Sequence, residues 1–248
     1  MVLVCHSHQF IFLKSYKSAG TSVEMCLEPY CRGTNRRAVE KTHSYVGPRG
    51  IVGRRLINPK NLTPQDQKWF NHMSAEKVCA WLGPKIWRRY TKVSTIRNPF
   101  DRAVSYYYYV IGLGSFPEPA TWKDTLTGFQ EFLAWEYFND DRQIVFVGDQ
   151  YVVDRLIRYE HLSGDLKQFA ADLEIDLRHT ALPQTKLTRH RRRAAVPEYF
   201  DTKSADMFRS TCAWMFEKGS YPDHPIDVSD ITAVTLDTPL SESCGTNE

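Results

Sequence analysis

No two cysteines of the chain stand at CxxC spacing. The six of them (Cys5, Cys26, Cys31, Cys79, Cys212, Cys244) are scattered over 248 residues, so neither a zinc site nor a redox dithiol is expected; in a reducing compartment they read as free thiols. No apolar run approaches the roughly 20 residues that cross a bilayer. The opening stretch, MVLVCHSHQFIFL, has neither the basic start nor the long apolar segment of a secretory signal, and the expectation is a soluble, cytoplasmic protein without a membrane span. An excess of one charge is missing too. A formal net charge of +3 and a pI near 8.5 give no support to whole-surface attraction for nucleic acid, so anion binding has to be local. There is no internal repeat.

What is present fits one globular domain: 42% of residues are hydrophobic and 25% charged, enough for a substantial core. The domain is expected over residues 1–221, with a polar, weakly ordered tail at 222–248. Periodicity and capping residues predict a strand over 9–13, a helix over 21–31 and an irregular excursion over 32–68 that offers substrate contacts. Ser74 caps a helix that Gly83 and Pro84 stop. A strand over 90–96 precedes Asn98 and Pro99, which open a helix to 111. Residues 112–120 form a Gly/Pro loop, Thr127 and Gln130 stand as a capping box for a helix over 127–137, and 155–159 is a strand. Helices follow over 164–173, capped by Ser163, and over 202–217. Strands alternating with helices predict an α/β fold, a P-loop-like three-layer domain with a central, mostly parallel sheet flanked by helices. Ligands then bind beyond the carboxyl ends of the strands.

Two segments carry chemistry. The first, Phe-Leu-Lys-Ser-Tyr-Lys-Ser-Ala-Gly-Thr-Ser from Phe12 to Ser22, lies where a strand feeds a helix, so its backbone N–H groups can converge on an anion at the positive helix end. Gly20 permits close approach, Thr21 and Ser22 bring hydroxyl donors, and Lys17 brings a point charge able to follow negative charge on a leaving oxygen. The lysine precedes the glycine, unlike the GxxxxGK[ST] loop of nucleotide triphosphatases. The second segment is Arg-Asn-Pro-Phe-Asp-Arg-Ala-Val-Ser, from Arg97 to Ser105. A guanidinium at a strand end and a hydroxyl about two turns into the next helix suit a separate phosphate. The plainer alternatives are an ordinary Gly-containing turn for the first segment and pairing of Arg97 and Arg102 with Asp101 or other acids for the second.

KSAGTS, from Lys17 to Ser22, resembles the 5′-phosphosulfate loop of sulfotransferases that use 3′-phosphoadenosine-5′-phosphosulfate (PAPS), and RNPFDRAVS resembles their 3′-phosphate motif. The likeness is to the carbohydrate sulfotransferases whose loop reads K-T-A-G-T-S. It implies that Lys17, Ser18, Ala19, Gly20, Thr21 and Ser22 hold the 5′-phosphosulfate, that Arg97 and Ser105 hold the 3′-phosphate, and that PAPS is the co-substrate, PAP (adenosine 3′,5′-bisphosphate) the product, with no metal. Weaker likeness extends to His72, to Tyr159-Glu-His-Leu162 and to Tyr199-Phe-Asp201. Tyr16 departs from the family, which usually has proline there, and a membrane anchor like that of Golgi members is not expected.

Sulfuryl transfer is mostly positioning and charge stabilisation, with a base to take the acceptor's proton. His72, ahead of the Ser74-capped helix, is the expected catalytic base beside Lys17, with His43 in reserve. The expected partner is a hydroxyl-bearing acceptor, a glycan. Lys186 and the basic run Arg189 to Arg193 are read either as a cover for nucleotide or anionic acceptor or as a solvated loop, and Tyr106 to Tyr109 as core. Two other readings stand beside the sulfotransferase: a P-loop phosphotransferase, which would want the lysine next to Ser/Thr and an acid for Mg²⁺, and a noncatalytic module that binds anionic polymers through residues 189–193.

Overall fold

The computed structural model describes residues 2–34, 38–39, 43–54, 68–134, 140–177, 182–183 and 193–226. A six-stranded sheet runs through its centre in the order β3-β4-β1-β2-β5-β8, built from β1 (Val2–Cys5), β2 (Phe10–Leu13), β3 (Tyr45–Gly47), β4 (Gly50–Gly53), β5 (Thr91–Ile96) and β8 (Arg155–Arg158). The short β6 (Phe146–Val147) and β7 (Gln150–Tyr151) pair separately. All eight residues of β1 and β2 are buried, as continuous apolar runs covered on both faces must be. Alternate side chains go to opposite sides. Leu3, Phe10, Phe12 and Val52 pack beneath α1 (Gly20–Arg32) and α6 (Leu162–Asp172). Val2, Val4, Ile11, Leu13 and Ile51 face the larger core with Phe100, Phe129 and Phe208, on α3 (Pro99–Gly112), α4 (Trp122–Leu133) and α7 (Thr202–Thr211).

The α/β class is as expected, but the sheet is mixed. β2, β5 and β8 are parallel, whereas β1, β3 and β4 pair antiparallel. The reason is connection length. Short turns join β1 to β2 and β3 to β4, and a parallel crossover needs a dozen residues or more. The expected irregular excursion therefore contains a hairpin, and residues 55–67 lie outside the described ones.

Helix limits also differ. In α2 (Ala75–Arg89) Gly83 breaks the helical path, with φ 77° and ψ 162°, but the chain resumes at Pro84 instead of stopping. Proline is well suited to a first helical turn. The capping box of α4 is Thr121 with Asp124, bonded both ways at 3.1 and 2.9 Å, so the helix begins earlier and Thr127 and Gln130 are interior. α6 starts at Leu162 with no cap from Ser163; a 3₁₀ turn, Tyr159–His161, leads into it. The last helix is divided at Cys212 into α7 and α8 (Ala213–Gly219), the remaining helix being the single turn α5 (Arg142–Val145). Residues 227–248, most of the expected tail, lie outside the description.

The larger core hangs on Phe100, fully buried at the first turn of α3 with ring centroids 4.9, 5.8 and 5.1 Å from Phe200, Phe208 and Phe216. Phe100→Ala is expected to cost about 3–5 kcal/mol, since three rings cannot all close the space left behind. Equilibrium urea unfolding measures this; a cost under about 1 kcal/mol would contradict the packing argument.

Candidate active site

β2 and β5 are adjacent parallel strands, with Leu13 opposite Ser94, and β8 lies on the far side of β5, with Ile96 opposite Arg158. The residues that follow Leu13, Ile96 and Arg158 therefore emerge side by side at one edge of the sheet. Both motifs and the Tyr159-Glu160 segment begin there.

The first loop is tied down from beneath. Lys14 is buried; its Nζ donates to Thr21 Oγ1 at 2.8 Å and pairs with Glu24 at 2.7 Å. Arg54 bridges Glu24 and Glu28, and Arg32 also bonds Glu28. Charges buried this deeply persist only when paired. Ser15 and Ser18, both buried, form a hydroxyl cluster with Thr95 of β5: Ser15 to Ser18 at 2.5 Å, Ser18 to Thr95 Oγ1 at 2.8 Å. Gly20 is needed because a Cβ there would stand 2.9 Å from Lys14 Cγ and 3.2 Å from Thr95 Oγ1.

Held in this way, the loop carries strain. Lys17 and Ala19 have φ of 58° and 60°, a left-handed conformation that costs non-glycine residues roughly 1–2 kcal/mol each and collects at functional sites. The loop leads directly into α1, where the first bonds to the Ala19 carbonyl are made by the Ser22 and Val23 N–H groups. Lys17 Nζ lies 4.4 Å from the centroid of the Tyr109 ring.

The second motif touches the first. Arg97 donates from Nη1 to the Lys17 carbonyl at 3.2 Å and from Nε to Asp101 at 2.6 Å, with the Tyr159 ring 4.1 Å beneath its guanidinium. The Asp101 pairing weighed in the sequence is thus real and orients the fork. Glu160, buried, accepts the Asn98 N–H at 2.7 Å and the Tyr221 hydroxyl at 2.7 Å. Ser105 is half-buried on α3, three residues beyond Arg102 and four before Tyr109, hence on their face of the helix.

Arg102 pairs with a residue the sequence did not single out. Fully buried, it donates from Nε to the Tyr16 carbonyl at 2.9 Å and from Nη2 to Asp141 at 2.9 Å, while Asp141 accepts the Tyr16 N–H at 3.0 Å. Burial pushes the Asp141 carboxyl up to about 6, against the pull of Arg102 and the Tyr16 N–H. No local pattern links Asp141 to a motif 39 residues away.

His72 sits against the same loop. Its Nδ1 is 3.0 Å from the Lys14 carbonyl oxygen, and its ring stacks on Tyr16 with centroids 3.7 Å apart and planes 13° from parallel. A carbonyl only accepts, so Nδ1 carries a proton; in the neutral ring the lone pair then lies on Nε2. His43 is exposed near β3, its carbonyl bonded by Arg32. Tyr199 is buried, with its hydroxyl 2.7 Å from that of Tyr108, and Asp201 caps α7. Of the tyrosine run, Tyr106 to Tyr108 are buried as expected, but Tyr109 faces Lys17. A cavity of about 390 Å³ beside residues 116–120 is lined by Tyr107, Phe116, Lys123 and Glu131; Tyr107 lies about 200° around α3 from Ser105 and Tyr109, so it opens on the other flank.

The model of the sulfotransferase family matches residues 1–145. The chain belongs to that family. As a sulfotransferase it transfers a sulfuryl group, and the matched span contains the strained loop, His72, Arg97, Arg102 and Asp141. Tyr159, Glu160 and Tyr221, which contact Arg97, the Asn98 N–H and Glu160 respectively, lie beyond the matched span. Comparison with curated proteins and with solved structures found no match. Among the described residues no helix is long and apolar enough to cross a membrane, and no group of three or more His, Cys, Asp or Glu could hold a metal ion. The described cysteines, Cys5, Cys26, Cys31, Cys79 and Cys212, are free thiols. Of the basic run only Arg193 is described; it bonds Tyr199 Oη at 2.9 Å and the Pro119 carbonyl at 2.6 Å. Lys186 and residues 189–192 lie outside the described residues.

Asp141 makes the loop sensitive to pH in a defined direction. Its folded value of about 6 lies above the ordinary 3.8, so the folded chain takes up this proton more readily than the unfolded one. The resulting contribution to stability is full below about pH 4 and is lost as pH rises through about 6. The same linkage applies to a local opening that exposes Asp141 to water. Lowering the pH from about 6 toward 4 is thus expected to slow hydrogen exchange at residues 17–20, beyond its intrinsic change, in a chain that stays folded by circular dichroism. Unchanged protection of those amides, or the same pH response in Asp141→Asn, would refute this.

Proposed function

We propose that this sulfotransferase takes PAPS as donor at a P-loop-like site formed between the Lys17 loop and Arg97, and passes the sulfuryl group to a carbohydrate hydroxyl, with His72 as general base. The reading rests above all on the 3.2 Å contact from Arg97 to the Lys17 carbonyl. It joins two anion-binding motifs at the ends of adjacent parallel strands, the arrangement that a nucleotide with anionic groups at two positions needs.

The residues fit that donor. Ser18, Ala19 and Gly20 offer backbone N–H groups at the positive end of α1. Thr21 Oγ1 accepts from Lys14, so its own hydroxyl proton can serve an anion. Ser22 is 2% exposed and contributes its N-terminal helical position more than its surface. Lys17, on its left-handed turn, is the charge that meets the leaving oxygen, and the Arg97 fork and Ser105 hydroxyl hold the 3′-phosphate. PAPS supplies the activated sulfuryl group when bound. The acceptor's O–H proton passes to His72 Nε2, the nitrogen left basic by the bond from Nδ1 to Lys14. Support for a carbohydrate acceptor comes from the likeness of KSAGTS to the K-T-A-G-T-S loop. Residues 1–221 form the catalytic domain in this reading.

Thermal shift and kinetics test this. PAPS or PAP at about 100 times Kd should stabilise the chain by about 2.7 kcal/mol; stabilisation by ATP with magnesium and none by PAPS would overturn the assignment. Lys17→Ala should lower kcat about 10²–10³-fold with little change in PAP affinity. Arg97→Ala should instead weaken PAP about 10–100-fold while sparing nucleotides that lack the 3′-phosphate. His72→Ala should lower kcat about 10²–10⁴-fold with PAP binding intact, and wild-type turnover in that variant would discard His72 as the base.

A further inference from the structure

We infer that Tyr16 is a positioning residue that sets the direction of the His72 imidazole, a role that rests on the assignment of His72 as general base. An imidazole on a side chain turns about two bonds, and two restraints are needed to aim one of its nitrogens. The hydrogen bond from Nδ1 to the Lys14 carbonyl, at 3.0 Å, is one. The other is the face of Tyr16, 3.7 Å away and within 13° of parallel, which fixes the plane of the ring. With the plane and one in-plane direction fixed, Nε2 has a single orientation. The restraint has something to oppose, because His72 itself is left-handed, with φ 54°, a conformation that histidine reaches only at a cost.

Tyr16 can do this because it is held on every side. Its carbonyl accepts from Arg102 Nε at 2.9 Å and its N–H donates to Asp141 at 3.0 Å. The Tyr106 ring lies close by, with centroids 6.2 Å apart and planes within 17° of parallel. A proline at position 16 could supply neither the aromatic face nor the N–H that Asp141 accepts, and a gain in preorganisation at the proton-accepting nitrogen is the expected benefit of tyrosine there.

The test separates this role from that of the site as a whole. In long-range proton–nitrogen spectra of the ¹⁵N-histidine-labelled full chain, without any substrate, wild-type His72 should show the Nδ1–H tautomer. Tyr16→Ala and Tyr16→Leu both keep the backbone N–H for Asp141, and leucine also keeps bulk against Tyr106. Each should shift His72 toward a mixture of tautomers and lower kcat about tenfold or more, with the Kd of PAP changed less than about threefold. Tyr16→Phe, which retains the face, should restore both readouts. An unaltered His72 spectrum together with an unaltered kcat in the leucine variant would overturn the inference. If instead the wild-type chain binds no PAPS and turns over no acceptor, the proposed function fails, while the nitrogen spectra still report whether Tyr16 orients His72.

Discussion

The pair formed by Arg102 and Asp141, both without solvent contact, grips the backbone of Tyr16 from two sides. Ion pairs this deeply buried add little net stability, because desolvation offsets the attraction. Breaking one is costly, however, and their directionality is what hydrophobic substitutes lack. Here the direction matters: Tyr16 is the residue just before the left-handed turn at Lys17. Without a rigid attachment at that point, the strain of two left-handed residues would relax.

A second buried charge network secures the other side of the loop. Lys14, Glu24, Arg54 and Glu28 join the end of β2, helix α1 and the residue after β4, so the antiparallel half of the sheet braces the parallel half that carries the motifs. Apolar packing lies on both faces, but polar contacts decide where the loop points. The two layers divide the work, one supplying stability and the other geometry.

Several elements were legible because their causes are local. The apolar run Phe10–Leu13 before a Gly-containing segment, and Asn98-Pro99 before α3, announce strand-to-helix turns through backbone chemistry alone. What misled the reading was equally physical. Thr127 and Gln130 have the spacing of a capping box, yet Thr121 and Asp124 have it too, and packing of Phe129 and Phe132 into the core favours the earlier start. Gly83 and Pro84 look like a stop signal but fall where a helix can kink and resume. The antiparallel strands were missed because β3 and β4 are short and rich in glycine, and a residue pairing between β1 and β4 lies nearly fifty positions apart in sequence.

By itself the sequence determined the α/β class, the two phosphate-type motifs, their order and the candidates Lys17, Arg97 and His72, because each depends on residue types within one short stretch. Only the tertiary structure decided which partners hold those residues. Asp141 beneath Tyr16, Tyr159 beneath Arg97 and Thr95 beneath Ser18 come from distant segments. Thr95 and Tyr159 come within reach because β2, β5 and β8 run parallel side by side, and Asp141 because the start of α5 packs against the loop; such adjacency is a property of the folded chain that no local pattern of residues records.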